Sequence, residues 1–186
     1  AAKLTLRIAS GEKTASAMWD FDAIAARPLP DPTRLSLLPA PKECTLGDKP
    51  LALAEEVDIT GVGEVSRIAI GLLSDSLATV AESNVRDVPL PAGVTPSVQL
   101  GAGCSASNDA VSRLAGLPPG GYLLDVDERG ATVRAKDTEG LRNGVLTLLQ
   151  AWESHFALTG EQAVPEMHVV DWPNMPIRAV SLPLPC

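Results

Sequence analysis

The sequence predicts an α+β fold: a mainly antiparallel sheet with two amphipathic helices packed on one face. Three observations carry this. Residues 122–135 form two alternating apolar runs joined by Asp127-Glu128-Arg129-Gly130, the pattern of a β-hairpin. Residues 64–83 and 138–156 instead place their apolar residues at helical spacing. Short alternating pairs elsewhere supply the remaining strands, and helices of this kind cover one face of such a sheet.

Taken in order, Leu4, Leu6 and Ile8 alternate with Lys3, Thr5 and Arg7, which predicts a strand over 3–8. Gly11-Glu12-Lys13 reads as a turn, and residues 14–26 are Ala-rich without a clear period. Five prolines between Arg27 and Pro41 exclude a helix or a central strand there. That stretch reads as a linker. It divides the chain into residues 1–32, an N-terminal strand and Pro-rich segment at the end of something upstream, and residues 33–182, the α+β domain. Leu51 with Leu53, and Val57 with Ile59, each suggest a strand that Gly61-Val62-Gly63 breaks. Over 64–83, Ile70, Leu73, Leu77 and Val80 line one helical stripe. A Pro-rich loop follows from Val88 to Pro96, then a short strand at Val98 and Leu100. Ser107-Asn108-Asp109 caps a short helical turn ending at Gly116, and Pro118-Pro119-Gly120-Gly121 stops it. After the hairpin, Leu141, Val145, Leu148, Leu149, Trp152 and Phe156 line the second helix, which Asp137 or Thr138 caps. Gly144 sits inside that helix at a cost of about 1 kcal/mol against Ala, a cost that fits a backbone passing close to a neighbour. Met167 to Val170 forms a last apolar piece before Asp171-Trp172-Pro173.

Composition narrows the functions. The chain has 186 residues, 45% hydrophobic and 20% charged, an ordinary globular balance. The net charge is −8 with no basic patch, which argues against nucleic acid. The longest uncharged stretch, Val88 to Asn108, holds three prolines and three glycines and does not insert into a membrane. Aromatics are 3%, too few for a stacking platform for sugars or bases. The chain opens on Ala1 without an initiator Met, which fits a removed signal peptide or a start inside a longer chain. Three cysteines make no disulfide framework. They leave open whether Cys44 and Cys104 pair.

No catalytic constellation stands out. Asp127-Glu128 is an adjacent carboxylate pair, but it sits in a polar hairpin loop with nothing nearby to desolvate it. Glu55-Glu56 reads as a solvated pair. Gly101-Ala102-Gly103-Cys104-Ser105 lacks the Lys and second half of a phosphate-binding loop. Cys104 as a nucleophile needs a His base within reach, and only His155 and His168 exist. No H-E-x-x-H spacing suggests a metal. The residues imply no cofactor.

Four segments resemble one family. Leu38-Pro39-Ala40-Pro41 is similar to a "P-x-P" entry, and Tyr122-Leu123-Leu124-Asp125-Val126 to a "Y-x-L-x-V" strand. Ala135 to Gly140, followed by Leu141 to Gln150, is similar to an "A-x-x-x-x-G … G-x-x-T-L-x-Q" helix. Val164-Pro165 through Val170-Asp171-Trp172-Pro173 and Ile177-Arg178 is similar to an "I-P … I-x-D-x-P … x-R-G" exit. In this order they resemble the domain that precedes the catalytic barrel in β-N-acetylhexosaminidases of glycoside hydrolase family 20. Related domains precede barrels in O-GlcNAcase-like and α-glucuronidase families. One departure is that Ala179, not Gly, follows Arg178.

The resemblance implies a non-catalytic accessory domain of a carbohydrate-active enzyme. Its partner is a catalytic barrel of about 250 residues lying outside these residues. The family's catalytic Asp-Glu pair belongs to that barrel, so Asp127-Glu128 does not correspond to it and no catalytic residue is carried over. The exit segment, with Asp171, Trp172, Pro173 and Arg178, is the candidate docking surface. Asp171 there accepts from backbone N–H groups or from Arg178 and sets the angle at which the chain leaves. The resemblance and the missing Met together point to a secreted or periplasmic protein. The alternatives are a stand-alone glycan- or protein-binding module, and a small enzyme built on Cys104 and a histidine.

Overall fold

The computed structural model describes residues 2–10, 13–21, 35, 37–104 and 108–174. The chain divides into two compact units, Ala1–Arg34 and Leu35–Cys186. In the first, β1 (Ala2–Ser10) and β2 (Lys13–Phe21) form an antiparallel hairpin that sets Leu4 opposite Trp19, Leu6 opposite Ala17 and Ile8 opposite Ala15. The expected first strand is present. The Ala-rich stretch after it, which gave no clear reading, is its partner as far as Phe21. Of the expected linker over 27–41, residues 27–34 and 36 lie outside the described residues.

The second unit runs β3 (Glu43–Leu46), β4 (Leu51–Ala52), β5 (Glu56–Val62), a 3-10 turn (Glu64–Ser66) and α1 (Arg67–Leu77). It continues with β6 (Glu82–Val88), β7 (Ser97–Gly101), α2 (Asn108–Gly116), β8 (Tyr122–Asp127) and β9 (Gly130–Ala135). It closes with α3 (Thr138–Thr159), β10 (Ala163–Val164) and β11 (Met167–Asp171). Seven strands form one sheet in the order β3-β11-β8-β9-β7-β5-β6, while β10 pairs with β4 alone. Within the sheet β5 and β6 run parallel, joined by α1, and every other pair is antiparallel.

Three expectations need correction. The helix over 64–83 is shorter: α1 ends at Leu77, and 82–88 is an edge strand. Edge strand β6, Glu-Ser-Asn-Val-Arg-Asp-Val, carries two apolar residues and lies almost wholly exposed, so no buried face marks it with a period of two. Gly61-Val62 does not break β5. Gly61 stays in the strand, paired on both sides, and its lack of a side chain makes room for α1, since an added Cβ would fall 1.9 Å from Ile70 Cδ1; among these residues Gly63, at φ 89°, turns the chain. The turn ending at Gly116 is a nine-residue helix, α2.

Helices α1 and α3 cover one face of the sheet, as the apolar stripes predict. Ile70, Leu73 and Leu77 from α1 and Leu141, Val145 and Leu148 from α3 meet Ile59, Val98, Leu124, Val133 and Val169 in the main core. Adjacent strand residues point to opposite faces. Leu123 and Val170 therefore look the other way and form a small second core with Leu114 of α2.

Glycine lets α3 settle on the strands. An added Cβ at Gly144 would fall 2.3 Å from Val133 Cγ1 and 2.9 Å from Tyr122 Cδ2; at Gly140 it would meet the Gly121 carbonyl at 2.5 Å. Asp137 is the N-cap: Oδ1 accepts from the Gly140 N–H at 2.7 Å and Oδ2 from the Gly120 N–H at 3.0 Å. One carboxylate thus starts the helix and pins the Pro-Pro-Gly-Gly turn beneath it.

Candidate functional site

The sheet brings the entry and the exit of the domain together on the outer side of α3. Gln150 grips the entering chain with both ends of its amide. Its Oε1 accepts from the Leu38 N–H and its Nε2 donates to the Leu38 carbonyl, each at 3.0 Å. Four residues on, the Lys42 N–H donates to Asp171 Oδ1 at 3.2 Å. Asp171 thus has a backbone N–H partner; Arg178, its other expected partner, lies outside the described residues. The Lys42 ammonium sits 5.2 Å above the Trp172 ring and donates to Asn174 Oδ1. A cation–π contact at such an exposed site contributes about 0.5–1 kcal/mol. Pro173 closes against Gly120, where an added Cβ would meet it at 3.0 Å. Below, Tyr122 shares a 2.6 Å hydrogen bond with Thr147, and burial pushes its phenol above the ordinary range.

These residues surround a pocket of about 290 Å³ whose walls include Pro39, Lys42, Arg142, Leu146, Trp172 and Pro173. Leu146 is 37% exposed, and Leu38 beside the groove is 56% exposed. Residues 171–174 of the exit segment therefore line a groove with apolar rims and a cationic lip. The expected Asp171, Trp172 and Pro173 all belong to it. Lys42, Gln150 and Asn174 were missed. The register of β3 against β11 brings Lys42 to Asp171 across 129 residues of sequence, and no local pattern marks that.

A second polar cluster stands on the opposite face of the sheet. The Arg134 side chain is 8% exposed; its Nη1 pairs with Asp125 Oδ2 at 2.8 Å and its Nη2 donates to the Cys104 carbonyl. His168 Nδ1 lies 2.5 Å from the other oxygen of Asp125. The Cys104 N–H donates to Thr132 Oγ1 at 2.7 Å. Cys104, Asp125 and His168 share a shallow pocket of about 320 Å³ with Thr45 and Glu166.

The structure thus brings Cys104 near a histidine, which sequence spacing alone did not show, but the chemistry is not that of a nucleophile. Cys104 Sγ donates to the carbonyls of Gly130 at 3.1 Å and Asp125 at 3.4 Å. Burial first, then the Asp127 charge, pushes the thiol up to about 11. A thiol so placed stays protonated at neutral pH. The cluster works as a strut that ties the loop after β7 to the sheet. Cys44 and Cys104 are both free thiols.

The other candidates fall into structural roles. Asp127 closes the hairpin turn. It accepts from the Arg129 and Gly130 backbones, and its bond to the Arg129 side chain holds it below the usual carboxylate range. Glu128 makes a surface pair with Lys49 at 3.1 Å. Glu55 and Glu56 are exposed at the start of β5. His155, late in α3 and so on the other side of the sheet from the polar cluster, lies 3.9 Å from Glu161. Trp152 is a core residue whose Nε1 donates to Gln162. No cluster of three His, Cys, Asp or Glu suited to a metal occurs among the described residues. No helix among them is long and apolar enough to cross a membrane.

Fold and groove together define a sheet domain in which residues 38–42 and 171–174 are held side by side. The sequence model for glycosyl hydrolase family 20, domain 2, matches residues 34–172. The match covers more than half of the chain, and the chain belongs to this family. Among solved structures, CpGH84B aligns with a TM-score of 0.52 at 19% identity over 79% of this chain, which shows the shared fold. The β-N-acetylhexosaminidase of Bacteroides fragilis aligns at 0.49 and 18% identity over 74%. The family 20 exo-β-N-acetylglucosaminidase of Vibrio harveyi, in complex with N-acetylglucosamine, aligns at 0.49 and 16% over 90%. The chain spans about a quarter of the length of each, 24–25%. No curated protein sequence matches significantly.

Proposed function

We propose that this chain is a non-catalytic accessory domain of a β-N-acetylhexosaminidase-like glycoside hydrolase, and that it seats the enzyme's catalytic barrel. The observation that carries this reading is the family match over residues 34–172. The barrel docks on the exit segment, Asp171 to Arg178, and on the adjacent outer side of α3. Three features support that surface. The Lys42 N–H holds the Asp171 carboxylate at the start of the exit segment. Trp172, Leu146 and Pro39 border one groove. The clamp on Leu38 holds the entering chain beside it. The parent reaction is hydrolysis of terminal N-acetylhexosamine residues, in which the substrate's own 2-acetamido group is the nucleophile. The protein works outside the cytoplasm, secreted or periplasmic.

The test is direct. The 186-residue chain should not turn over a chromogenic N-acetyl-β-glucosaminide, whereas the enzyme containing its barrel should. Turnover by the 186-residue chain that survives repurification would overturn the proposal. In the enzyme containing its barrel, Trp172→Ala should loosen the two domains and lower the temperature of activity loss while leaving KM unchanged.

A further inference from the structure

Strand β6 forms one edge of the seven-stranded sheet, and its backbone shows which of its groups remain available. Glu82 pairs with Glu56 and Val88 with Val62 in the parallel ladder. The Glu82 N–H donates to the Glu55 carbonyl at 2.7 Å, and the Val88 carbonyl accepts from the Gly63 N–H at 2.9 Å. The even-numbered residues of β6 therefore turn their backbone groups towards β5. Ser83, Val85 and Asp87 turn theirs outward, three N–H and three carbonyl groups on one exposed edge. The opposite edge, β3, is four residues long against seven for β6.

From this edge we infer that two copies of the chain pair antiparallel through β6, about a two-fold axis at Val85. That register alone sets Val85 opposite itself, and Ser83 opposite Asp87 of the other copy. In an antiparallel ladder, hydrogen-bonded pairs recur every second residue and exchange both bonds. All six outward groups of each strand then find partners. An axis at residue 84 would set Asp87 opposite Ala81, whose N–H already donates to the Leu77 carbonyl, and an axis at residue 86 would set Ser83 opposite Pro89, which has no N–H.

The side chains agree with the same register. Val85 is 49% exposed, and the axis would cover it with a second valine. On the other face Arg86, which pairs with Asp58 at 3.7 Å within its own chain, stands opposite Asn84 and diagonal to Glu82 of the other copy. The strand's own charges protect it against unlike edges, and in this register none of them stands directly opposite a like charge.

Sedimentation velocity of the 186-residue chain, from micromolar to about half-millimolar, tests the pairing. The expected result is a species of twice the 19.4 kDa chain mass that grows in with concentration. Val85→Pro removes only an outward N–H, and an edge position tolerates proline, so it should return the protein to monomer with its circular dichroism intact. Val85→Lys sets like charges opposite each other and should do the same if the proline variant folds poorly. Wild-type protein that stays monomeric throughout, or dimers that persist in both variants, would overturn the inference.

Discussion

Gly144→Ala separates two opposed effects cleanly. In an isolated helix, Ala should stabilise by about 1 kcal/mol. Here the new methyl would fall 2.3 Å from Val133 Cγ1 and 2.9 Å from the Tyr122 ring. Neither neighbour yields easily. Val133 is 1% exposed and, being β-branched, is stiff at χ1; Tyr122 is 2% exposed and tethered by Thr147. Overpacking of this kind costs about 1–3 kcal/mol, and two stiff neighbours place it at the upper end. The net loss is about 2 kcal/mol, or roughly 4–8 °C in Tm for a domain of this size. Urea unfolding of the wild type and Gly144→Ala, with Val133→Ala as the second arm of a double-mutant cycle, reads it. Val133→Ala should relieve part of the clash, with a coupling above about 0.5 kcal/mol. A higher Tm for Gly144→Ala would refute the close approach of α3 to the sheet.

Other expectations follow from single contacts. Asp137→Ala should cost about 1–2 kcal/mol, since it removes the α3 cap, and amide exchange at Gly120 should speed up with it. Asp125→Ala should cost about 3 kcal/mol because it strands a buried Arg134 charge; Arg134→Met added to it should recover much of the loss in urea unfolding. Cys104 should react with iodoacetamide slowly at pH 7.5 in the native protein and quickly in urea. Its folded pKa of about 11 exceeds the ordinary thiol value of 9.0, so the folded state holds the proton more tightly. The resulting stability is present below pH 9 and lost as pH rises through 11. The urea midpoint should fall between pH 9 and 10.5, and less steeply in Cys104→Ala.

Sequence reading succeeded where burial writes a period. The β8–β9 hairpin, α3, and the core side of α1 are all lined by residues whose spacing matches their element. It failed where exposure erases the period. Strands β3 and β6 are edges with nearly every residue in water, so a one-sided pattern never forms. The α2 helix covers a core of only three buried residues, too small to lengthen its stripe. The groove was legible only on one side. Asp171-Trp172-Pro173 stands as a motif, whereas Lys42 and Gln150 act through hydrogen bonds to residues 129 and 112 positions away. The strut between Cys104, Asp125, Arg134 and His168 is likewise a product of strand register, with His168 set opposite Asp125 by β11 and β8.

The central claim, that this domain serves a larger glycoside hydrolase, is tested most directly by the intact mass of the native gene product from its source cells, captured with an antibody to this domain. A product far above 19.4 kDa that hydrolyses N-acetylhexosaminides is the predicted result. A product near 19.4 kDa would contradict it.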